Sequence, residues 1–557
     1  MTRTDEQSPD RDWWKEAVVY QIYPRSFNDS DGDGIGDIPG IVEKVDYLDA
    51  LGIDVVWLNP VYESPMADNG YDIADYQSIH PEFGTMDDWQ TLLDELHDRD
   101  MRLIMDLVVN HTSDEHEWFQ QSRQGTPEYE DYYYWREGDP EEPPNNWESF
   151  FGGPAWSWDD EREAWYLHLF DEKQPDLNWR NEAVREEIHD MMNWWLDHGI
   201  DGFRMDVINL VSKTEGLPDG EHGGGAHFIG GPRILEYIDE MVDETVAGRD
   251  VMTVGEMVGV DAERAREYVG EEGTGLSMLI HFEHMGVDTG HDKWDLQELD
   301  LRELKRIIGS WQNTLAEDGW NCNYLSNHDQ PRAISRFGDD GEYREESAKM
   351  LATFQFTLQG TPFVFQGEEI GMTNTSFEDP DRIRDVEAKN FTEMSLDDWA
   401  DDYEEDVRPI LEDMSRDNAR TPMQWDDTEH AGFTDGEPWI HVTDNYDEVN
   451  VEAARADEDS IWHYYRELMD LREERDVFVY GDYELIDPEH GEVFGYRRRL
   501  GEEELIVVCN FFDGHPHIHI GDLADNAELV VSNYDVDEIP EDRVLELRPY
   551  EARVYQQ

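Results

Sequence analysis

Eight short runs of β-branched and aromatic residues recur along this chain, with helical patterns between most of them. In order they are "VVYQI" (18–22), "VVWL" (55–58), "RLIMDLV" (102–108), "GFRMDV" (202–207), "VMTVGE" (251–256), "LSMLIHF" (276–282), "NCNYLSN" (321–327) and "PFVFQ" (362–366). Their apolar content is nearly continuous, the pattern of a strand buried on both faces. Stretches such as "TMDDWQTLLDELHDR" and "NEAVREEIHDMMNWWLDHG" read as the helices between them. Eight such units predict an α/β fold, the (β/α)8 TIM barrel.

Two insertions interrupt the repeat. Between the third and fourth runs lie roughly ninety residues, too many for a structureless loop. This stretch, from "NHTSDEHEWFQ" to "QPDLNWR", is rich in Trp, Tyr, Pro and Gly. It predicts an inserted subdomain at 110–179, dividing the barrel into 1–109 and 180–479. A second irregular insertion, about 373–430, follows the eighth run. After the helical "DSIWHYYRELMDLREERD" the pattern turns to strands alone: "VFGYRRR", "ELIVVCNFF", "ELVVSN" and "RVLELRPYEARVYQ". These predict a C-terminal antiparallel β-sandwich over 480–557.

The charge narrows the setting. Asp plus Glu number 134 against 43 Lys plus Arg, a net of −91 spread along all 557 residues. Only eight of the basic residues are lysine. A disordered acidic chain would lack aromatics, whereas this one has 12% aromatic residues and 20 Trp. The balance resembles proteins of extreme halophiles, in which molar salt screens self-repulsion. Nucleic acid is excluded as a partner. Cys322 and Cys509 lie in strand-like apolar runs and read as buried thiols. The opening "MTRTDEQSPDRDWWKE" has no apolar signal core, and no run of about 18 apolar residues occurs, so no membrane segment is expected and the cytoplasm fits.

The stretch "FNDSDGDGIGDIPGI" (27–41) sets Asp29, Asp31, Asp33 and Asp37 in a calcium-loop pattern around Gly34. An EF-hand would close its loop with Glu at the twelfth position; here that position is Gly40, and a strand-like run precedes the loop. The alternatives are an acidic turn that binds nothing and a structural divalent-cation site. Four carboxylates so close repel without a cation, which favours the second: one structural Ca²⁺, or Mg²⁺, with the Ile35 carbonyl as a backbone ligand. No organic cofactor is expected.

In barrel enzymes the chemistry lies at the carboxyl ends of the strands. The third run ends with Asp106, Asn110 and His111, the fourth with Arg204 and Asp206, the fifth with Glu256, the seventh with His328 and Asp329. Any one of these reads equally as a structural ion pair, because buried charge requires a partner. Three carboxylates from three strands facing one cavity read instead as chemistry. An Asp and a Glu with a buried Arg are the minimum kit for retaining glycoside hydrolysis.

At these motifs the chain resembles the α-amylase superfamily of glycoside hydrolases, family 13, in its oligo-1,6-glucosidase and α-glucosidase branch. The resemblance runs almost end to end through "DLVVNHTS", "QPDLNW", "GFRMDVIN", "GEM" and "NHDQPR", and the loop "DSDGDGIGD" matches as well. It implies that Asp206 is the nucleophile, Glu256 the general acid and then base, and Asp329 the residue that holds sugar hydroxyls. Arg204 would keep Asp206 ionised, His111 and His328 would donate to the bound sugar, and Glu256 would rest protonated.

The same resemblance implies exo action. In "ADNGYDIADY", otherwise an ordinary Asn-Gly turn, Asp68 would hold the outer hydroxyls of a non-reducing glucose together with Arg416 of "SRDNARTPMQW"; Tyr71 would stack beneath the ring. Arg420 would lie toward the leaving group. Phe170 reads either as an aromatic wall or as a core residue. Val207, after the nucleophile, resembles α-1,6-acting enzymes, where α-1,4-acting ones carry Ala or Thr. Lys293 in "DKWD" and Glu387 in "RDVEAKN" match positions that face the leaving sugar. Val258 departs from relatives that have Trp there. The implied activity is release of glucose from short α-glucosides, with isomaltose-type ends favoured and maltose also a substrate. The alternatives are glucosyl transfer or sucrose isomerisation on the same intermediate, although "AISRFGDD" lacks the isomerase signature, and a non-catalytic barrel relative. The partners are small oligosaccharides; the oligomeric state is left open.

Overall fold

The eight apolar runs form one parallel sheet. The structure is a computed structural model describing residues 11–270, 273–290, 292–316, 318–400, 402–521, 527–536 and 543–557; the first ten residues of the polar opening lie outside it. The strands are Val19–Ile22, Val55–Leu58, Arg102–Val108, Gly202–Asp206, Met252–Met257, Met278–His281, Cys322–Asn323 and Thr361–Phe365. They neighbour one another in chain order, with the eighth beside the first. A parallel bridge between Leu279 and Asn321 joins the sixth to the seventh and closes the barrel.

The seventh strand is shorter than the run 321–327. Asn323 turns its amide to the Leu358 carbonyl at 3.3 Å, and Asn327 Oδ1 accepts from the Asp329 amide at 2.8 Å. Local side-chain bonds thus end the ladder and begin the turn that carries His328 and Asp329. The helical pattern after the acidic loop is also interrupted. It forms Ile38–Glu43 and Val45–Leu51, which share Lys44 between them (φ −108°, ψ 4°), and Gly52 ends the second at φ 98°. The long helices follow their capping chemistry: Thr85 and Asp88 form a reciprocal capping box on Met86–His97.

The insertion after the third strand holds a helix, Glu117–Arg123, and a three-stranded antiparallel sheet of Trp135–Arg136, Ala164–Leu167 and Trp156–Asp159. Its core is aromatic: Trp147, Trp156, Trp165 and, from beyond the fourth strand, Phe228. Helix Val386–Asp398 lies in the insertion after the eighth strand, and its Asn390 donates to the Phe151 carbonyl at 3.0 Å. At the C-terminus, Asp482–Ile486, Val493–Leu500, Glu503–Asn510, Ala552–Gln556 and Glu528–Ser532 form a five-stranded antiparallel sheet. His517–His519 pairs with Val544–Glu546, and Ile518 and Leu545 pack on Val493, Ile506 and Val508 of the larger sheet. The run "RVLELRPYEARVYQ" is therefore two strands, broken by Pro549 and by Tyr550 at φ 51°. Both cysteines are buried and unpaired. No described helix is long and apolar enough to cross a membrane.

Candidate active site

The barrel brings the strand-end charges of the sequence to one place. Arg204, fully buried, lies at the centre. Its Nη1 is 2.5 Å from Asp106 Oδ1 and 2.7 Å from Asp206 Oδ1; its Nη2 is 2.7 Å from Glu256 Oε1. Three carboxylates from three adjacent strands share one guanidinium. Burial raises Asp106 to about 6 against the pull of Arg204. Burial also raises Asp206; Arg204 opposes this, while Glu256, Asp106 and Asp329 reinforce it. Arg204 is thus shared by Asp106, Asp206 and Glu256 rather than paired with Asp206 alone.

Asp329 stands across the site, paired differently. Its Oδ1 receives Arg420 Nη2 at 3.0 Å and Arg416 Nη1 at 3.3 Å. Burial alone would raise this carboxyl, but His328 and the two guanidiniums hold it well below the ordinary range. Gln21 Nε2 lies 2.8 Å from His328 Nδ1, which leaves the ring proton on Nε2, 2.9 Å from Asp329 Oδ2. Burial lowers the His328 ring to about 4 and the His111 ring likewise to about 4, so both are neutral donors near pH 7.

The outer residues assemble around this centre. Tyr71 stacks on His328 with centroids 5.2 Å apart and planes at 4°. Arg416 Nη2 reaches Asp68 Oδ1 at 3.4 Å, and burial raises Asp68 to about 7 despite that cation. The Phe170 ring lies 5.2 Å from His111 and 5.2 Å from Phe150, itself 38% exposed; Phe170 is half-buried and packs against the aromatic core of the inserted subdomain. Lys293 pairs with Glu387, and Glu387 also lies 3.5 Å from Arg416 Nε. Val207 has a left-handed backbone, φ 35° and ψ 39°, an outlier for a β-branched residue.

Several contributors carried no separate signal in the sequence. Asp385, fully buried, binds Arg416 Nε at 2.9 Å and lies 3.6 Å from Arg420. It stands two residues before Glu387, inside a motif read for another residue. Gln174 Nε2 donates to Asp68 Oδ2 at 3.1 Å and lies 3.2 Å from His111 Nε2. Lys213 is fully buried, 2.6 Å from Asp176 and 2.7 Å from Asn110 Oδ1. Among eight lysines in an acidic chain, a lysine followed by no amphipathic pattern was the one available hint.

The acidic loop runs between the first strand and Ile38–Glu43. Asp29, Asp31 and Asp37 each bring one oxygen within 4.8 Å of the others, a donor set suited to a hard divalent cation. Asp33 is outside that group, and its Oδ1 accepts from the Ile35 amide at 2.9 Å. Asp29 accepts from the amides of Asp31, Gly32 and Gly34, and Asp37 caps the helix through the Gly40 amide at 2.6 Å. Gly34 is required: a Cβ would sit 1.9 Å from the Glu437 carbonyl oxygen.

A closed parallel barrel with paired carboxylates and a guanidinium at its carboxyl end defines a class, the barrel glycoside hydrolases. The model of the alpha amylase catalytic domain matches residues 21–481. The oligo-1,6-glucosidase of Parageobacillus thermoglucosidasius is 53% identical over 98% of this chain and 99% of its own. The crystal structure of Bacillus licheniformis trehalose-6-phosphate hydrolase superposes with a TM-score of 0.93 at 47% identity, covering 98% of this chain and 100% of that one. Isomaltulose synthase from Klebsiella sp. LX3 gives 0.92 at 42% identity, covering 98% and 99%. The chain belongs to the alpha-amylase family and is a glycoside hydrolase of family 13.

Proposed function

We propose that this enzyme is an exo-acting, retaining α-glucosidase that removes glucose from non-reducing ends of short α-glucosides, α-1,6 links before α-1,4. One observation carries the reading: a single buried guanidinium touches both Asp206 and Glu256. Asp206 attacks the anomeric carbon as the glycosidic bond breaks, and Glu256 passes its proton to the leaving oxygen. In the second step Glu256 takes a proton from water, the water oxygen bonds to the anomeric carbon, and Asp206 leaves. Asp68, Arg416 and Asp329 grip the outer hydroxyls, and Tyr71 supports the ring. Val207 narrows the approach of an α-1,4-linked second sugar, while the extra rotatable bond of an α-1,6 link lets that sugar swing past.

The residues of the acidic loop fit a structural Ca²⁺ held by Asp29, Asp31 and Asp37, which would tie the end of the first strand to the following helix. The net charge of −91 supports an enzyme adapted to molar salt.

The test is proton NMR of fresh hydrolysate from isomaltose, maltose, sucrose and trehalose 6-phosphate in about 2 M KCl, where the screening length is below about 3 Å. The α-anomer of glucose should appear first, and isomaltose should be cleaved faster than maltose. Initial β-glucose would sink retention. Faster maltose cleavage would sink the linkage reading, and isomaltulose from sucrose would replace hydrolysis with isomerisation. Asp206→Asn should abolish turnover with the fold intact.

A further inference from the structure

The fourth and fifth strands pair only as far as Met205 opposite Gly255. Asp206 and Glu256 thus stand one residue beyond their shared ladder, each paired instead with its other neighbour, Val108 and Ile280. Across that gap run two side contacts. The Val207 N–H donates to Glu256 Oε2 at 3.0 Å; among the described residues it is the one hydrogen bond that the Glu256 carboxyl receives. Arg204 Nη2 touches Oε1 as an ion pair, out of line for a hydrogen bond. The Val207 residue that carries this N–H has a left-handed backbone, φ 35° and ψ 39°, which a β-branched residue resists.

Asn209 supplies the restraint. Its side chain is fully buried. Its Nδ2 donates to the Val258 carbonyl at 2.7 Å, and its Oδ1 accepts from the Val258 N–H at 3.2 Å. The amide therefore imitates one more rung of the ladder, joining the turn after Asp206 to the chain two residues beyond Glu256. Its own carbonyl accepts from the Gly230 N–H at 2.9 Å, so the turn is held on its far side as well.

We propose that Asn209 is a positioning residue for the acid–base carboxyl: by clipping Val258 it holds Val207 left-handed, and the Val207 N–H then sets where Glu256 stands relative to the leaving oxygen. The proposal rests on Glu256 as the proton donor. It also makes Val207 a residue with two tasks, since its side chain faces the second sugar while its amide holds the acid.

The test separates proton donation from general damage. Isomaltose needs a proton on its leaving oxygen; α-glucosyl fluoride loses fluoride without one. In kcat/KM, which reports the first chemical step, Asn209→Asp and Asn209→Ser should lower isomaltose cleavage by about 10-fold or more, a fraction of what general acid catalysis contributes. Cleavage of α-glucosyl fluoride should stay within about 3-fold of the parent, and the alkaline limb for isomaltose should move while that for the fluoride does not. Glu256→Gln is the control. If it fails to spare the fluoride, the assignment of Glu256 falls. If it spares the fluoride but both Asn209 variants lose the two substrates equally, or lose neither, the positioning role alone falls. Failure of both variants to give the parent's near-ultraviolet circular dichroism in molar KCl makes Asn209 a folding residue and overturns the proposal.

Discussion

Lys213→Met removes the cation that faces Asp176 at 2.6 Å, where neither side chain is exposed to water. Asp176 also accepts from the Leu169 amide at 2.9 Å and from Asn110 Nδ2 at 3.3 Å, so it keeps hydrogen bonds but loses its countercharge. Breaking a buried pair from one side costs about 3–5 kcal/mol, because an uncompensated charge is left in place. At about 2.1 cal/mol/K per residue, unfolding this chain cooperatively would carry an entropy near 1.2 kcal/mol/K, which converts that loss to a fall of about 3–4 °C. Lys213 follows the fourth strand, which carries Asp206, while Asp176 lies where the inserted subdomain returns to the barrel. The same variant should also raise the His111 ring from about 4, since Lys213 is one of the charges depressing it. Calorimetry in molar KCl reads the first effect, and imidazole NMR titration reads the second. Lys213→Met with Asp176→Asn should recover part of the loss, as both charges are then gone. A single variant that melts within about 0.5 °C of the parent, a shift below about 1 kcal/mol by the same conversion, would refute the reasoning. So would a double variant less stable than the sum of the two singles.

Chelation with EDTA should lower the melting temperature more than it lowers turnover at a temperature well below melting, because Asp29 and Asp37 bond to the turn and helix after the first strand and not to the Arg204 cluster; equal turnover and melting curves with and without chelator would count against a bound cation. Dialysis from about 2 M to 0.1 M KCl lengthens screening from a few ångströms to about 10 Å, so circular dichroism and activity should be lost together; an unchanged melting temperature would leave the acidity without a role. Burial alone lowers His116 to about 3, with Nδ1 accepting from the Trp118 amide at 3.1 Å. Between pH 6.5 and about 3 the unfolded chain takes up a proton that the folded ring refuses, so stability falls as pH falls. His116→Asn keeps the cap and drops the titration; its stability relative to the parent should rise by up to about 1.4 kcal/mol per pH unit below 6.5. Parallel pH profiles in urea melts would refute this.

The barrel was legible because doubly buried parallel strands must be apolar throughout, and that demand writes eight runs into the chain whatever lies between them. The seventh run misled at its end, where Asn323 and Asn327 bond locally and stop the ladder. Reading hydropathy cannot distinguish Tyr324 and Leu325 in a strand from the same residues packed against the wall after it. The central carboxylates were legible because each ends a strand. Asp385, Gln174 and Lys213 had no separate signal, because they come from loops, two of them in the insertions, and neither hydropathy nor spacing marks which loop side chains turn inward. Nor does a sequence reveal backbone hand: nothing in "GFRMDVIN" marks Val207 as left-handed. Charge state was the least legible of all. Reading Arg204 as the partner of Asp206 left out Asp106 and Glu256, which share the same guanidinium.

That sharing bears on how an acidic chain runs acid–base chemistry in salt. Surface carboxylates interact through water and are screened strongly at molar ionic strength, whereas buried pairs are screened far less. At the site every carboxylate has a fixed partner: Asp106, Asp206 and Glu256 on Arg204, Asp329 on Arg416 and Arg420, Asp385 on Arg416. Salt concentration therefore acts on the surface and leaves these pairs nearly untouched. Activity per folded molecule should then stay constant as salt is withdrawn, with the loss lying wholly in the folded fraction. The site cations Arg204, Arg416 and Arg420 are buried beyond the reach of counter-ions, whereas exposed pairs such as Arg306 with Glu303 are open to screening.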